Sequence, residues 1–186
     1  EAIRALHRLT GAALRVNRIV FMHRVSALLW AAYSGDFDCV EALLEIGADA
    51  NHRNDHGSTS LMDAVSNPLG NQNMLNALYD AGQRVMVNRQ CRAKTAGWRF
   101  LFFVARVVYR AGKARSKDAL GFACQQGSTA LHVAAAAGEC DSARWLLQHG
   151  AHPSLFLRNE LGMTPMDLSK LFGPFPEMES LLGGAE

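Results

Sequence analysis

The stretch Gly-Ser-Thr-Ala-Leu-His-Val-Ala-Ala-Ala-Ala-Gly occupies residues 127–138, and a further glycine, Gly150, follows twelve residues after Gly138. A threonine before an apolar run is typical of a helix N-cap, because its hydroxyl accepts a backbone N–H that has no partner within the helix. A glycine after the run favours the end of the helix, since it adopts the left-handed conformation at little cost. The spacing therefore predicts a helix, a short turn, a second helix and a loop.

The same pattern recurs along the chain. Its partial copies occupy residues 26–51, 57–82 and 162–182. Ser26 and Thr59, which would begin the first helices of two units, are 33 residues apart, and Thr129 and Thr164 are 35 apart. A repeat of this length is typical of stacked helical units, because one unit cannot bury its apolar face alone.

These features resemble the ankyrin repeat, whose period is about 33 residues. The resemblance covers residues 21–87 and 124–182, and it is strongest at 34–51 and 127–151. It implies an all-α solenoid of about four helix-turn-helix units. It also implies that His132, in the Thr-Ala-Leu-His position, has a structural role and forms hydrogen bonds within and between repeats.

We predict four segments along the chain. They are an N-terminal basic helical cap at 1–20, two repeats at 21–87, a basic amphipathic insertion at 88–123, and two repeats with a C-terminal cap at 124–186. Capping is the expected role of the N-terminal segment because the apolar end of a solenoid must be covered. Its arginines could also contact phosphate, but no recognition motif accompanies them, so we do not expect nucleic-acid binding.

The composition limits the classes of function. The 186 residues carry a formal net charge of only +2, so the overall charge indicates no partner. The four cysteines include no CxxC pair, which favours reduced thiols in the cytoplasm, with a nuclear location left open. No apolar run reaches the roughly 18 residues that a membrane-spanning helix needs. The chain begins with Glu1, so we expect a fragment or a processed form.

No combination of residues indicates catalysis. His52 and His56 are four residues apart, but they lie in a polar turn instead of on one face of a helix. Phosphate-binding and dinucleotide-binding glycine motifs are absent, as is the nucleophile motif Gly-x-Ser-x-Gly. We therefore expect no enzyme activity, no cofactor and no metal site.

The predicted insertion has an unusual composition. From Arg84 to Lys117 there are ten basic residues and no acidic residue. If the segment is helical, the basic residues from Arg92 to Lys117 form a narrow stripe, and apolar residues cover most of the remaining surface. Such a helix could bind anionic lipid or a partner's groove. The residues that we predict to contact a membrane or an acidic partner are Trp98, Arg99, Phe102, Arg106, Arg110, Lys113 and Lys117.

Four interpretations of this segment stay open at this point. It could fold back on the solenoid and cover an apolar groove, with its arginines in solvent. It could be a disordered surface loop, or sequence foreign to the fold, such as a translated intron. It could also be a helix with a binding function. Its many β-branched and aromatic residues also favour a strand, which weakens the helix prediction.

The predicted function is that of a protein-interaction module or scaffold, which we expect to be a monomer. Its partner would contact the turns between units and the concave face formed by the first helices. The candidate contact residues are Trp30, Tyr33, His52, Arg53, Asn54, Asp55, His56, Asp63, Arg158, Asn159, Glu160 and Met163. The alternative function is peripheral association with an anionic membrane through residues 98–117.

Overall fold

A computed structural model of the chain describes residues 3–5, 16–17, 24–67, 72–113 and 116–184. Within these ranges the secondary structure is helical and contains no strand. In chain order the α-helices are α1 (Ala27–Ser34), α2 (Phe37–Glu45), α3 (Ser60–Val65), α4 (Gln72–Asp80), α5 (Ala96–Arg110), α6 (Lys117–Cys124), α7 (Ala130–Ala137), α8 (Cys140–Gln148), α9 (Pro165–Phe172) and α10 (Pro176–Gly183). Two 3₁₀ helices, Gln83–Met86 and His152–Leu155, follow α4 and α8.

The helices form four pairs, α1/α2, α3/α4, α7/α8 and α9/α10, and the first helices of successive pairs pack against one another. This arrangement confirms the predicted all-α stack of about four units. The pair α5/α6 lies between the second and third units and belongs to the predicted insertion.

The first helix of each unit begins at the residue that the repeat pattern predicts. Ser26 Oγ accepts a hydrogen bond from Leu29 N, and Thr59 Oγ1 accepts one from Met62 N, both at 3.3 Å. Thr129 and Thr164 are the N-caps of α7 and α9 and form capping boxes, in which the third helical residue bonds back to the cap. Four equivalent helix starts therefore confirm the repeat.

The core lies between the two layers of helices. Small residues of the first helices, among them Ala32, Ala64 and Ala134, are fully buried and let neighbouring helices approach closely. The second helices contribute larger buried side chains, such as Val40 and Leu146. Because every unit packs against the next, burial is shared along the stack, as expected of a solenoid.

Most of the predicted N-terminal cap lies outside the described residues. Within the described part, Ile3 and Val16 pack against the core. Arg4 forms ion pairs with Glu41, at 2.9 Å, and with Glu45 on α2. These contacts place this end of the chain beside the second helix of the first unit.

Candidate functional site

The turns that precede the second and fourth units share one hydrogen-bond pattern. In the first of these turns, Asn54 N donates to Ser58 O at 3.3 Å and Gly57 N donates to Asn54 O at 3.1 Å. In the last, Asn159 N donates to Met163 O and Gly162 N donates to Asn159 O, both at 2.9 Å. In each turn two residues separate the asparagine from the glycine.

The turn before the third unit has the same two hydrogen bonds, although its sequence is interrupted. Cys91 N donates to Ser128 O at 2.7 Å, and Gly127 N donates to Cys91 O at 2.8 Å. Thirty-five residues lie between Cys91 and Gly127, where the other turns have two. The insertion is therefore an extension of the tip of this turn, and the unit on either side is unchanged.

This geometry refines the predicted bounds of 88–123. Asn88 belongs to the stack, because its Nδ2 donates to Gly150 O at 2.8 Å and its Oδ1 accepts from Ser154 Oγ at 2.6 Å. Gln126 has the position that His56 has in the first turn, directly before the turn glycine. We therefore assign residues 92–125 to the insertion.

Both neighbouring turns bind the base of the insertion. Lys94 N donates to Asp55 O at 2.9 Å, and Gln126 Nε2 donates to His56 O at 3.2 Å. On the other side, Glu160 N donates to Gln126 O at 2.9 Å. These hydrogen bonds join the three turns side by side.

The insertion forms two helices, whereas the basic stripe was predicted for the case that the segment forms one helix. Thr95 caps α5 by accepting from Trp98 N at 3.4 Å, and Ser116 caps α6 by accepting from Ala119 N at 3.1 Å. Between them the chain reverses at Gly112, whose φ is 67°. The prediction of a single stripe from Arg92 to Lys117 is therefore wrong, because Arg92 precedes α5 and Lys117 begins α6.

An aromatic cluster holds α5 against α6 and the first turn. Phe102 is fully buried, and its ring stacks on that of Phe122 with centroids 4.5 Å apart. Trp98 packs edge-on against His56 with centroids 3.9 Å apart. Arg106 adds an ion pair with Glu160 in the last turn. These inward positions explain why Phe102 and Arg106 are not available for the membrane or partner contact that we predicted for them.

The opposite side of α5 carries large apolar side chains in solvent. Their exposed fractions range from 37% to 68%, and the residues are Phe100, Leu101, Phe103, Val104, Val107 and Val108. Arg99, Arg110 and Lys113 are exposed as well. One interpretation was that the segment covers an apolar groove with its arginines in solvent. Arg99 and Arg110 are exposed and α6 does line a groove, but the larger apolar face of α5 points outward.

The second insertion helix, α6, forms one wall of a groove on the concave face. The groove has a volume of about 660 Å³ and is lined from α3, α7 and α9 as well as from α6. Its apolar side chains include Met62, Phe122, Val133, Leu168 and Phe172. At its rim, Lys117 Nζ donates to Phe172 O at 3.4 Å, which links α6 to the last unit.

Asp63 lies in this groove, in the first turn of α3. Ser58 Oγ donates to its Oδ1 at 2.7 Å. Burial raises the pKa of the Asp63 carboxyl to about 7, and the hydrogen bond from Ser58 offsets only part of this effect. The sequence placed Asp63 on the concave face, where the structure also has it.

Two exposed aromatic residues lie at one end of the groove. Trp30 and Tyr33 on α1 are 60% and 62% exposed, and their ring centroids are 6.0 Å apart. A cavity of about 200 Å³ beside Trp30 shares Tyr33, Ser58 and Asp63 with the main groove. The two spaces therefore form one concave surface, which is lined by five of the predicted contact residues: Trp30, Tyr33, Asn54, His56 and Asp63.

The predicted contact residues in the turns differ in exposure. Asn54 and Asn159 are buried, and each side-chain oxygen accepts backbone N–H groups of its own turn. Arg158 and Glu160 are exposed. The other turn candidates, which are partly exposed, are His52, Arg53, Asp55, His56 and Met163. Within the turns, the two asparagines thus stabilise the backbone, while Arg158 has a largely exposed side chain that a partner could contact.

His132 has the structural role that the repeat pattern implied. Its Nδ1 accepts from Thr129 N at 3.2 Å, and its Nε2 donates to Met163 O at 3.1 Å in the next unit. Burial lowers the pKa of the imidazole to about 4, so the ring is neutral at physiological pH.

The described ranges give no geometry for metal binding or membrane spanning. No group of three His, Cys, Asp or Glu side chains within them could hold a metal ion. No helix in the same ranges is long and apolar enough to cross a bilayer. The four cysteines are free thiols, and burial raises the pKa of Cys91 to about 12 and that of Cys124 to about 11.

Comparison with known families finds repeats where the first three helix pairs lie. A model described as "Ankyrin repeats (3 copies)" matches residues 1–89, and one described as "Ankyrin repeat" matches residues 126–159. The chain belongs to the ankyrin-repeat family. Ankyrin repeats generally mediate protein–protein interaction and are typically non-catalytic. The unmatched residues between the two ranges contain α5 and α6.

A curated protein is also similar to this ankyrin-repeat chain. It is described as "Mitochondrial disaggregase" from Bos taurus and is 32% identical over 149 residues. The match covers 78% of the present chain but only 21% of that protein, so the chain spans about a fifth of its relative's length.

Several residues of the concave surface and of the interrupted turn were not predicted from the sequence. Phe122 and Phe172 line the groove, and Cys91 forms the turn that carries the insertion. The only available signal for Cys91 was its distance from the preceding unit, because its side chain differs from the asparagine of the other two turns. The sequence left open that the segment covers an apolar groove, but no pattern assigned that position to α6.

Proposed function

We propose that this ankyrin-repeat chain binds another protein through its concave groove and its exposed turn residues. The observation that supports the proposal is one continuous surface, with Trp30 and Tyr33 at one end, Asp63 in the middle and α6 as a wall. Aromatic residues are over-represented among the residues that dominate binding energy at protein interfaces. The insertion extends this surface beyond what the four units provide.

A pull-down with the full chain tests the proposal. We expect a captured protein to be retained by the wild type and lost from the double variant Trp30→Ala/Tyr33→Ala, because truncation removes two large exposed contacts. Phe156→Ala is a matched control, since Phe156 is 65% exposed but does not line the groove. Equal capture by all three proteins, at equal helix content, would contradict the role of the groove. Light scattering of the same samples checks the expected monomer.

The cellular location is a separate proposal. Free thiols are compatible with the cytoplasm, where we propose that the chain acts. The name of the bovine relative instead mentions the mitochondrion. Fractionation of cells that express the complete natural protein distinguishes the two compartments.

A second candidate function is peripheral binding to an anionic membrane through α5. The observation that favours it is the row of six exposed apolar side chains, from Phe100 to Val108. An apolar helix face beside basic residues can enter the interface of a bilayer while the charges contact lipid phosphates. Arg99, Arg110 and Lys113 are exposed and could make these contacts.

Sedimentation with vesicles tests the second candidate. We expect binding to anionic vesicles, weaker binding to neutral ones, and a decrease with added salt because charges are then screened. Phe103→Ser/Val107→Ser should abolish binding, and Phe156→Ser should leave it unchanged. Absence of binding to both kinds of vesicle rejects the membrane function. Capture of an acidic protein by the wild type, but not by the α5 variant, would instead assign α5 to a protein partner.

A further inference from the structure

The Asp63 carboxyl has an unusual environment for an acidic side chain. Asp63 lies on α3, between the turn that precedes the second unit and α6, which forms a wall of the groove. Ser58 Oγ donates a hydrogen bond to the Asp63 carboxylate at 2.7 Å. In the described part of the chain, none of the ion pairs includes Asp63. Asp63 keeps part of its surface exposed, but neighbouring atoms remove much of the water around its carboxylate, and no cation in the described ranges replaces that water, so its pKa is raised to about 7.

The groove is apolar on both sides of this carboxyl. Towards the C-terminal units the lining includes Met62, Phe122, Val133 and Leu168. Towards the N-terminal units the adjoining cavity is lined by Val25, Leu29 and Trp30, and Asp63 borders both spaces. A complementary ligand would therefore carry apolar groups on either side of one positive charge.

A lysine or arginine side chain fits this arrangement for two reasons. Its aliphatic stem can pack along apolar walls while its charged end reaches the carboxylate. Pairing with a cation also compensates the ionised carboxylate for the hydration that it loses to its neighbours. Lys117 at the rim does not fill this role, because it begins α6 and donates to Phe172 O.

We propose that the groove binds a protein segment that inserts a lysine or arginine side chain beside the Asp63 carboxylate, with apolar side chains on either side of it. This inference rests on the proposed protein-binding function and specifies the chemistry of the partner. It assigns the concave surface to a basic-apolar segment, whereas the outer face of α5 would attract an anionic surface.

A displayed library of random peptides, selected on the full chain, tests the inference. We expect the selected peptides to contain a lysine or arginine between apolar residues. Asp63→Asn should weaken their binding at least tenfold, whereas Asp141→Asn, which removes an exposed carboxylate on α8, should leave it within twofold. Circular dichroism of both variants verifies that the fold is retained.

A change in the peptide makes the test independent of any effect of the variant on folding. Replacing the selected lysine by norleucine, or the selected arginine by norleucine, removes the charge and keeps an aliphatic stem. We expect this change to weaken binding to the wild type but not to Asp63→Asn, so that the two changes are not additive. Additive losses, or selected peptides without basic residues, overturn the inference. If no peptide binds but the pull-down still captures a protein through Trp30 and Tyr33, the groove chemistry is wrong while the proposed function stands.

Discussion

Cys91 has the same backbone hydrogen bonds in the interrupted turn that Asn54 has in the turn before the second unit. Each N–H donates to the residue after the turn glycine, and each carbonyl accepts from the glycine itself. The extension of the turn therefore leaves the hydrogen bonds at its base unchanged. A long surface loop is tolerated in this way because the entropy of closing a loop grows only slowly with its length.

The first prediction concerns removal of the insertion. Replacing residues 92–125 by one aspartate gives Cys91-Asp-Gln126-Gly127, which matches the spacing of Asn54-Asp55-His56-Gly57. We expect a folded stack with a single cooperative thermal transition, measured by circular dichroism. Deletion of 88–122 should be more damaging, because it removes the Asn88 bonds to Gly150 and Ser154. A shortened chain that is unfolded or aggregated would contradict the assignment of the insertion to a turn tip.

The second prediction uses two glycines of similar conformation. Gly57 and Gly162 have φ values of 93° and 84°, so alanine strains the backbone at both positions by about 1 kcal/mol. A Cβ at Gly57 would also overlap the backbone of Arg92, whereas one at Gly162 has nothing within 4 Å. We expect Gly57→Ala to lower the free energy of unfolding by roughly 2 kcal/mol more than Gly162→Ala does. Equal losses in urea titrations would show that the base of the insertion does not pack on the first turn.

The repeat units could be predicted from the sequence because their signals are local. Thr59, Thr129 and Thr164 cap the helix that follows each of them within three residues, and Gly35 and Gly138 end helices in the left-handed conformation, at φ values of 77° and 79°. Such signals depend on neighbouring residues alone.

The position of the insertion could not be predicted, because it depends on contacts between distant residues. The apolar pattern of α5 indicates an amphipathic helix but not which face turns inward. The inward face is decided by Phe102 meeting Phe122 and by Arg106 pairing with Glu160, and neither partner is close in sequence. The break at Gly112 separated α5 from α6 and let α6 reach the concave groove.

The third prediction compares two adjacent phenylalanines of α5. Phe102 is fully buried and Phe103 is 52% exposed. We expect Phe102→Ala to destabilise the packed position of α5 and α6 by about 3 kcal/mol, because it leaves a cavity against Phe122. Phe103→Ala should change stability by less than about 0.5 kcal/mol. Hydrogen exchange of the α5 and α6 amides measures the difference, and equal protection in both variants would contradict the inward orientation of Phe102.

The fourth prediction concerns Asp63 and pH. The pKa of the Asp63 carboxyl is about 7 in the folded chain, whereas an unperturbed aspartate has a pKa of 3.8. The folded state therefore holds this proton more tightly than the unfolded state. Stability therefore falls as the pH rises from about 4 to about 7 and is constant above that range. We expect Asp63→Asn to be more stable than the wild type at pH 8 by a few kcal/mol, and by at most about 4 kcal/mol, with little difference at pH 4. A pH-independent difference in urea unfolding would argue against a carboxyl whose pKa is raised by folding.

The fifth prediction concerns His132, whose titration has the opposite sign. Its pKa falls from 6.5 to about 4 on folding, so the unfolded state takes up a proton between these values while the folded state does not. The stability that the neutral ring contributes is complete above pH 6.5 and is lost as the pH falls towards 4.

Because Asp63 titrates over much of the same range, we propose to measure this effect in the Asp63→Asn background. His132→Ala should lower stability by about 2 kcal/mol at pH 7.5, since it removes the bonds to Thr129 N and Met163 O. The loss should be much smaller at pH 4.5, because there the unfolded state already gains from protonation of the wild-type ring. An equal loss at both pH values would show that the ring is accessible to protons in the folded chain.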